Sequence, residues 1–212
     1  PQVFNEKLYQ RVLSGGSLAL GESYMDGWWD VKSLDQFFYK IFSAKLDTYF
    51  EYSTDMILAY LKSMLFNQQT KIMSKKVAKE HYDLSPALYE SFLDPYNQYT
   101  CGYFKDTESL NEAQEKKLDL ICKKLQLSAK DKVLDIGCGW GGFAKYATEH
   151  YSCHVTGITI SKEQAKYAIE YTKGLPVEIK IQDYRDVSGT YDKILICGMI
   201  EHVGCKNYRN IL

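Results

Sequence analysis

The stretch Val133-Leu134-Asp135-Ile136-Gly137-Cys138-Gly139-Trp140-Gly141-Gly142 constrains this chain more than any other. A short apolar run, interrupted by an acid, breaks into a glycine-dense turn. Phe143-Ala144-Lys145-Tyr146-Ala147 then restarts at helical spacing. The pattern predicts a buried parallel strand, a tight loop and the first turn of a helix. Glycine serves such a loop in two ways: it accepts positive φ, and it lets a ligand approach the backbone. Exposed N–H groups and the positive end of the helix dipole then face whatever fills the crevice.

Gly137, Gly139 and Gly142 satisfy the dinucleotide fingerprint G-x-G-x-x-G, a weak pattern by itself. Asp135, two residues before the first glycine, narrows the choice. Its carboxylate could accept from a ligand or from the loop amides, and hh-D-h-G-x-G-x-G is typical of S-adenosylmethionine methyltransferases. A NAD enzyme places an acid at the tip of the second strand to hold the ribose. Here that position is Thr159, with Gln164 one turn on as a neutral substitute; alone, Gln164 would equally well be an exposed helix residue.

The chain around this loop alternates cleanly. Strands are predicted at 132–136, 154–159, 177–181 and 191–197, with helices at 142–150 and from Ser161 to Tyr171. That alternation predicts a doubly wound, Rossmann-like α/β sheet with its ligand at the carboxyl ends of the strands. Four strands are few for this fold, and the sequence lacks an initial Met, so the chain is expected to be part of a longer protein. The third loop, Gln182-Asp183-Tyr184-Arg185-Asp186, offers Asp183, whose carboxylate or neighbouring amide could meet an adenine amino group, or which could be a solvated acid. The fourth strand opens into Glu201-His202, two general-base candidates that could instead cap and underpin the next helix.

Residues 1–70 read as a small helical domain, with 71–212 as the catalytic one. Phe4, Leu8 and Val12 predict a helix stopped by Gly15-Gly16; residues 18–29 look too rich in turn residues for a long helix. Of the adjacent Trp28 and Trp29, only one can face a core, which leaves the other for a domain contact. Ser33 with Gln36 predicts a capping box for a helix to Ala44, and a second helix follows over 46–67. Lys71, Lys75, Lys76 and Lys79 are a solvated linker or a basic rim for anionic lipid heads. Ser85-Pro86 starts a short helix to Phe92, an aromatic loop covers 96–104, and Ser109 with Glu112 caps a helix to Leu125.

Composition excludes some classes of function. A net charge of −1 is far from the basic footprint of a nucleic-acid binder. Six unclustered cysteines and four scattered histidines set a metal site aside and read as free thiols. No apolar run approaches the roughly 20 residues of a membrane span, and the polar start is no signal peptide. With 18 Tyr and 9 Phe, a large apolar cavity is as plausible as an ordinary core.

The chain resembles the cyclopropane-fatty-acid-phospholipid synthases and, more distantly, the mycolic acid cyclopropane synthases. The matching stretches are 16–29, Glu80-His81-Tyr82-Asp83-Leu84, Gln98-Tyr99-Thr100-Cys101-Gly102-Tyr103-Phe104, 133–142, 157–161, 182–186 and Glu201-His202-Val203-Gly204. The resemblance implies transfer of a methyl from S-adenosylmethionine to the cis double bond of a phospholipid acyl chain. Proton loss from the resulting carbocation closes a cyclopropane ring, while aromatic faces steady the cation. It also implies a bicarbonate ion as the base, held by the loop at Cys101, by Glu201 and by residues outside this chain. Tyr82, Tyr99, Thr100, Asp135, Gly137, Gly139, Thr159, Ile160, Gln164, Asp183 and Tyr184 would surround the cofactor. Work at the inner face of the membrane from the cytoplasm is implied, and a homodimer is left open. The rivals are a methyltransferase that stops before ring closure and a non-catalytic lipid- or cofactor-binding module.

Overall fold

The computed structural model describes residues 1–45, 67, 70, 71 and 86–211. The helix expected over 46–67, the Ser85 cap, Lys75, Lys76, Lys79 and Tyr82 lie outside the described residues. The chain divides into two compact units, Pro1–Asn67 and Gln68–Leu212.

In the first unit, β1 (Gln2–Val3) pairs antiparallel with β2 (Trp29–Asp30), and α1 (Lys7–Met25) lies between them in sequence. Gly16 leaves the helical region (φ 60°, ψ −142°), so α1 is two helical segments meeting at a kink. The glycines therefore redirect the helix, and the segment expected to be turn-rich is helical to Met25. Its register is set by Trp29, which is fully buried. The indole Nε1 donates to Leu20 O and Ser23 Oγ, both at 3.1 Å, and the ring packs on Tyr24 and Phe37. Trp28 is covered by the Arg11 guanidinium, 4.7 Å from the ring centroid and itself paired with Glu22 and Asp26. Arg11 thus accounts for Trp28 within the unit. The helix α2 (Leu34–Ser43) begins at Ser33 without the expected capping box, because the Ser33 hydroxyl donates to Asp35 instead of accepting from the backbone.

The second unit begins its described part with α3 (Pro86–Glu90) and α4 (Leu110–Leu125). Ser109 caps α4 by accepting from the Glu112 amide, but the Glu112 carboxylate turns to the Thr107 hydroxyl (2.7 Å), so only half of the box forms. The alternation then runs β3 (Lys132–Ile136), α5 (Gly142–Tyr151), β4 (His154–Thr159), α6 (Lys162–Tyr171), β5 (Val177–Ile181) and β6 (Lys193–Ile196). These strands make one parallel sheet in the order β5-β4-β3-β6. From β3 the chain winds outward through β4 to β5, then returns to lay β6 against the other side of β3. The reversal opens a crevice at the carboxyl ends of β3 and β6, where ligands bind in such sheets.

Core packing follows this order. Central β3 is buried from Val133 to Ile136, as its unbroken apolar reading requires. On one face Val133, Val155 and Leu195 pack with Leu118 and Cys122 of α4 and Phe143, Ala144 and Ala147 of α5. On the other, Leu134, Ile136 and Ile158 meet Tyr184, Val187, Tyr191 and Met199. After β6 the chain forms α7 (Ile200–Val203), a 3₁₀ turn (Cys205–Asn207) and α8 (Tyr208–Ile211). No described helix is long and apolar enough to cross a membrane.

Candidate functional site

A cavity of about 430 Å³ lies at the carboxyl ends of the four strands. Its floor is the glycine loop. The amides of Gly137 and Cys138 both donate to Ile158 O (2.9 and 3.0 Å), which stitches the loop to β4. The Gly141 amide donates to Cys138 O at 2.9 Å and turns the chain into α5. Gly139 stands apart: at φ 55°, a Cβ there would meet nothing within 4 Å. It faces open cavity, as a position meant for close ligand approach should.

The other loop glycines answer to the protein. A Cβ on Gly137 (φ 82°) would lie 2.8 Å from Met199 Cγ, so this glycine is needed for packing as well as for its backbone conformation. A Cβ on Gly142 would lie 1.7 Å from Tyr96 O, so the first residue of α5 admits the 94–98 segment. Asp94 organises that segment by accepting from the amides of Tyr96 (2.9 Å) and Gln98 (2.7 Å).

Asp135 lines the cavity, and it is the electrostatic anomaly of the site. The residue is 3% exposed, and its Oδ2 has no hydrogen-bond partner. Burial alone pushes the carboxyl up to about 7. An acid held at this cost with one oxygen unsatisfied calls for a donor from a ligand.

At the tip of β4, Thr159 and Gln164 form a buried pair. The Thr159 hydroxyl accepts from the Ser161 amide (3.2 Å) and donates to Gln164 Oε1 (2.9 Å). Ser161 caps α6 by accepting from the Gln164 amide at 3.2 Å. Gln164 is therefore a fixed polar wall of the cavity. Ile160 lies between the two as an apolar lining residue.

Asp183 lines the cavity, but its carboxylate is already held by Arg185, which donates from its amide (3.0 Å), from Nε (2.7 Å) and from Nη2 (2.8 Å). Burial would raise the Asp183 carboxyl, yet the Arg185 hydrogen bonds outweigh it and hold the group below the usual carboxylate range. The side chain is thus mostly engaged as a loop fastener at the cavity wall. Tyr184 continues the wall, with the Arg185 guanidinium 5.1 Å from its ring centroid. Nearby, Lys71 pairs with Asp186 at 2.5 Å, so this lysine is tied to the unit's surface.

The remaining side is formed by the aromatic loop and the start of α7. Tyr99, at the rim, is 62% exposed, while Thr100 is half-buried. Glu201 and His202 both reach the cavity from the first turn of α7. Cys101 is exposed and does not line the cavity; among the expected residues it stands outside the constellation. No cluster of metal-ligating side chains occurs among the described residues.

Trp140 and Cys197 are among the lining residues that the sequence reading did not assign to the site. Trp140, 4% exposed, reaches the cavity from inside the glycine loop and joins Tyr89 (centroids 5.0 Å apart) and Tyr167 (5.3 Å) in an aromatic wall. Its place in the loop was the available signal. Cys197, at the end of β6, carried none beyond its position.

The geometry describes a crevice for a nucleoside-like ligand with a polar, charge-bearing tail. The family model for mycolic acid cyclopropane synthetase matches residues 68–212. The chain belongs to that family. It is 49% identical over 207 residues to the cyclopropane-fatty-acyl-phospholipid synthase of Escherichia coli K12, covering 98% of this chain and 54% of that protein. It is 46% identical to a probable fatty acid methyltransferase of Pseudomonas putida, over 60% of this chain and 34% of that one. Among solved structures, a mycolic acid cyclopropane synthase complexed with SAH and CTAB is 34% identical, with a TM-score of 0.61. That match covers 64% of this chain and 50% of the other. Coclaurine N-methyltransferase, at 24% identity and a TM-score of 0.64 over 84% of the chain, shares the fold. The chain spans about half the length of the curated E. coli relative.

Proposed function

We propose that the chain carries the cofactor site of a transferase that moves a methylene from S-adenosylmethionine onto the cis double bond of membrane phospholipid acyl chains, closing a cyclopropane ring. The observation that carries the reading is the unpartnered Asp135 oxygen opening onto the same cavity as the unobstructed Gly139 backbone. A cationic, amine-bearing ligand answers both features. The cofactor supplies an electrophilic methyl when bound.

The chain's own residues divide the remaining work. Asp135, once ionised, accepts from the ligand's ammonium and offsets its positive charge. Thr159 and Gln164 present fixed polar groups suited to a ribose diol, while Ile160 and Tyr184 flank a purine. Asp183 contributes through the loop that Arg185 fastens. Tyr99 and Thr100 close the site, with Tyr99 and Trp140 offering aromatic faces to developing positive charge; Tyr82 joins the cofactor contacts by family resemblance. Glu201 and the Cys101 loop hold the bicarbonate that takes the proton, so Cys101 acts through its backbone. The unit 71–212 is the catalytic part, and 1–70 is an accessory helical domain. The enzyme works at the inner face of the membrane and binds no nucleic acid.

Lipid mass spectrometry of cells expressing the full-length protein tests this. Each modified chain should gain one CH₂ and lose its double bond. A gain of CH₂ as a methyl branch would instead establish transfer without cyclisation, and unchanged lipids would overturn the reading.

A further inference from the structure

We propose that Lys117 is a positioning residue for this reaction, clamping Thr100 between α4 and the segment that leads into Glu201. The inference rests on the functional reading above, because it assigns Lys117 to that same site.

Lys117 is only 8% exposed, a burial that lysine rarely reaches without an anionic partner. Among the described residues it forms no ion pair. Its Nζ donates to Thr100 Oγ1 at 2.7 Å. One turn earlier on the same helix face, Gln114 Nε2 donates to Thr100 O at 2.8 Å and to Gln98 O at 3.3 Å. Two side chains of α4 thus grip both oxygens of one threonine. Because the ammonium can only donate, the Thr100 hydroxyl must turn its own proton away from α4. The Cys197 thiol at the end of β6 lies near this group: burial raises it, and the Lys117 ammonium is the largest influence drawing it back down.

Thr100 is also wedged sterically. A Cβ on Gly198 (φ 69°) would lie 2.4 Å from Thr100 Cγ2, so the threonine methyl rests directly on the Gly198 backbone. Gly198 leads through Met199 and Ile200 to Glu201. The path Lys117–Thr100–Gly198 therefore ties α4 and the Tyr99–Thr100 wall of the cavity to the segment bearing the acid.

The fold gains little from a charge at this point. Burial disfavours the Lys117 ammonium, and Gln114 Oε1 beside it is left without a partner. An apolar side chain of similar length would pack here without removing an ion from water. A costly group that orients a lining residue fits a requirement of the site and not of the core.

The test is a double-mutant cycle in the full-length enzyme, with unsaturated phospholipid vesicles and methyl-labelled S-adenosylmethionine. Lys117→Met should lower kcat by about 10- to 100-fold, the usual effect of losing an outer orienting partner. Cofactor affinity should change by only a few fold, and the melting temperature should hold or rise. Thr100→Val should also lower kcat, and the double variant should be no slower than the slower single one. Lys117→Gln, which keeps a donor without the charge, serves if Lys117→Met does not fold. An undiminished kcat in Lys117→Met, additive losses in the cycle, or a loss that tracks a falling melting temperature would overturn the proposal. So would failure of both Lys117 variants to fold. A wild-type enzyme that makes no ring-containing lipid would sink the functional reading, and this inference with it. Ring formation at equal rates in wild type and Lys117→Met would sink this inference alone.

Discussion

Replacing Asp135 by Asn should make the ligand-free protein more stable at alkaline pH and less able to bind its cofactor. The carboxyl sits at about 7 in the fold against 3.8 for a free aspartate. At about 1.4 kcal/mol per unit, burial sets about 4 kcal/mol against the ionised form. The sign follows from the direction of the shift. Between about pH 4 and pH 7 the unfolded chain has ionised this group while the fold still holds its proton, so stability is present below that window and lost across it. Asn has no charge to bury, but its amide inherits the missing partner of Oδ2, at a cost of about 1–3 kcal/mol. A net gain of about 2 kcal/mol at pH 8 remains, and it should turn into a loss of about the same size near pH 4, where the wild-type acid is protonated in both states. For a chain of this size, each kcal/mol moves the melting temperature by about 2–4 °C. Scanning calorimetry of the apo wild type and Asp135→Asn across pH 4–8 reads the difference directly. Titration calorimetry with S-adenosylmethionine should show affinity falling about 10- to 100-fold, the range for a lost hydrogen bond to a charged group. A stability difference that does not change with pH would refute the buried-acid argument. Unchanged affinity would refute Asp135 as the ligand's partner.

Gly139→Ala should weaken S-adenosylmethionine binding at least tenfold while costing about 1 kcal/mol in stability, because its Cβ enters open cavity at a positive φ; normal titration calorimetry would reject the loop as the binding floor. Gly142→Ala should destabilise the second unit by more than about 3 kcal/mol, since the Tyr96 carbonyl 1.7 Å from the new Cβ is backbone and cannot swing aside; a denaturation midpoint equal to wild type would contradict this. Trp29→Ala should cost the first unit about 3–5 kcal/mol, seen as loss of its melting transition. Cys101→Ser should keep substantial turnover, because the exposed thiol does not line the cavity; a fall to background would restore a chemical role for its sulfur.

What could be read from the sequence depended on whether a residue's role was set by its own segment. Val133–Ile136 is buried on both faces, so the strand showed as an unbroken hydrophobic run, and Gly139 showed as a glycine beside it. Ser109 and Ser161 bond amides three residues on, within reach of a local rule. Ser33 obeys the same rule on paper, yet Asp35, two residues away, takes its hydroxyl. Asp183 was legible only in part: its cavity-facing position follows from strand order, but the grip of Arg185 depends on the 3₁₀ turn that brings residue 185 back over it. Lys117 was hidden more deeply. In an amphipathic helix a lysine reads as the solvated face, and only the return of residues 98–100 across α4 puts it under Thr100.

That contrast also explains how the site is built. The floor and the polar tip of β4 come from strand ends whose register the parallel sheet fixes, so their geometry is inherited from the fold. The Tyr99–Thr100 wall is a loop and the Glu201 segment a single helical turn, neither with a sheet ladder of its own, and each needs an outside anchor. Asp94, Gln114 and Lys117 supply it on one side, and the threonine's contact with Gly198 passes it to the other. Sheet-borne residues should therefore tolerate changes in these anchors, whereas the placement of Glu201 should not. In the Lys117 variants this becomes a division between cofactor affinity, which persists, and turnover, which falls.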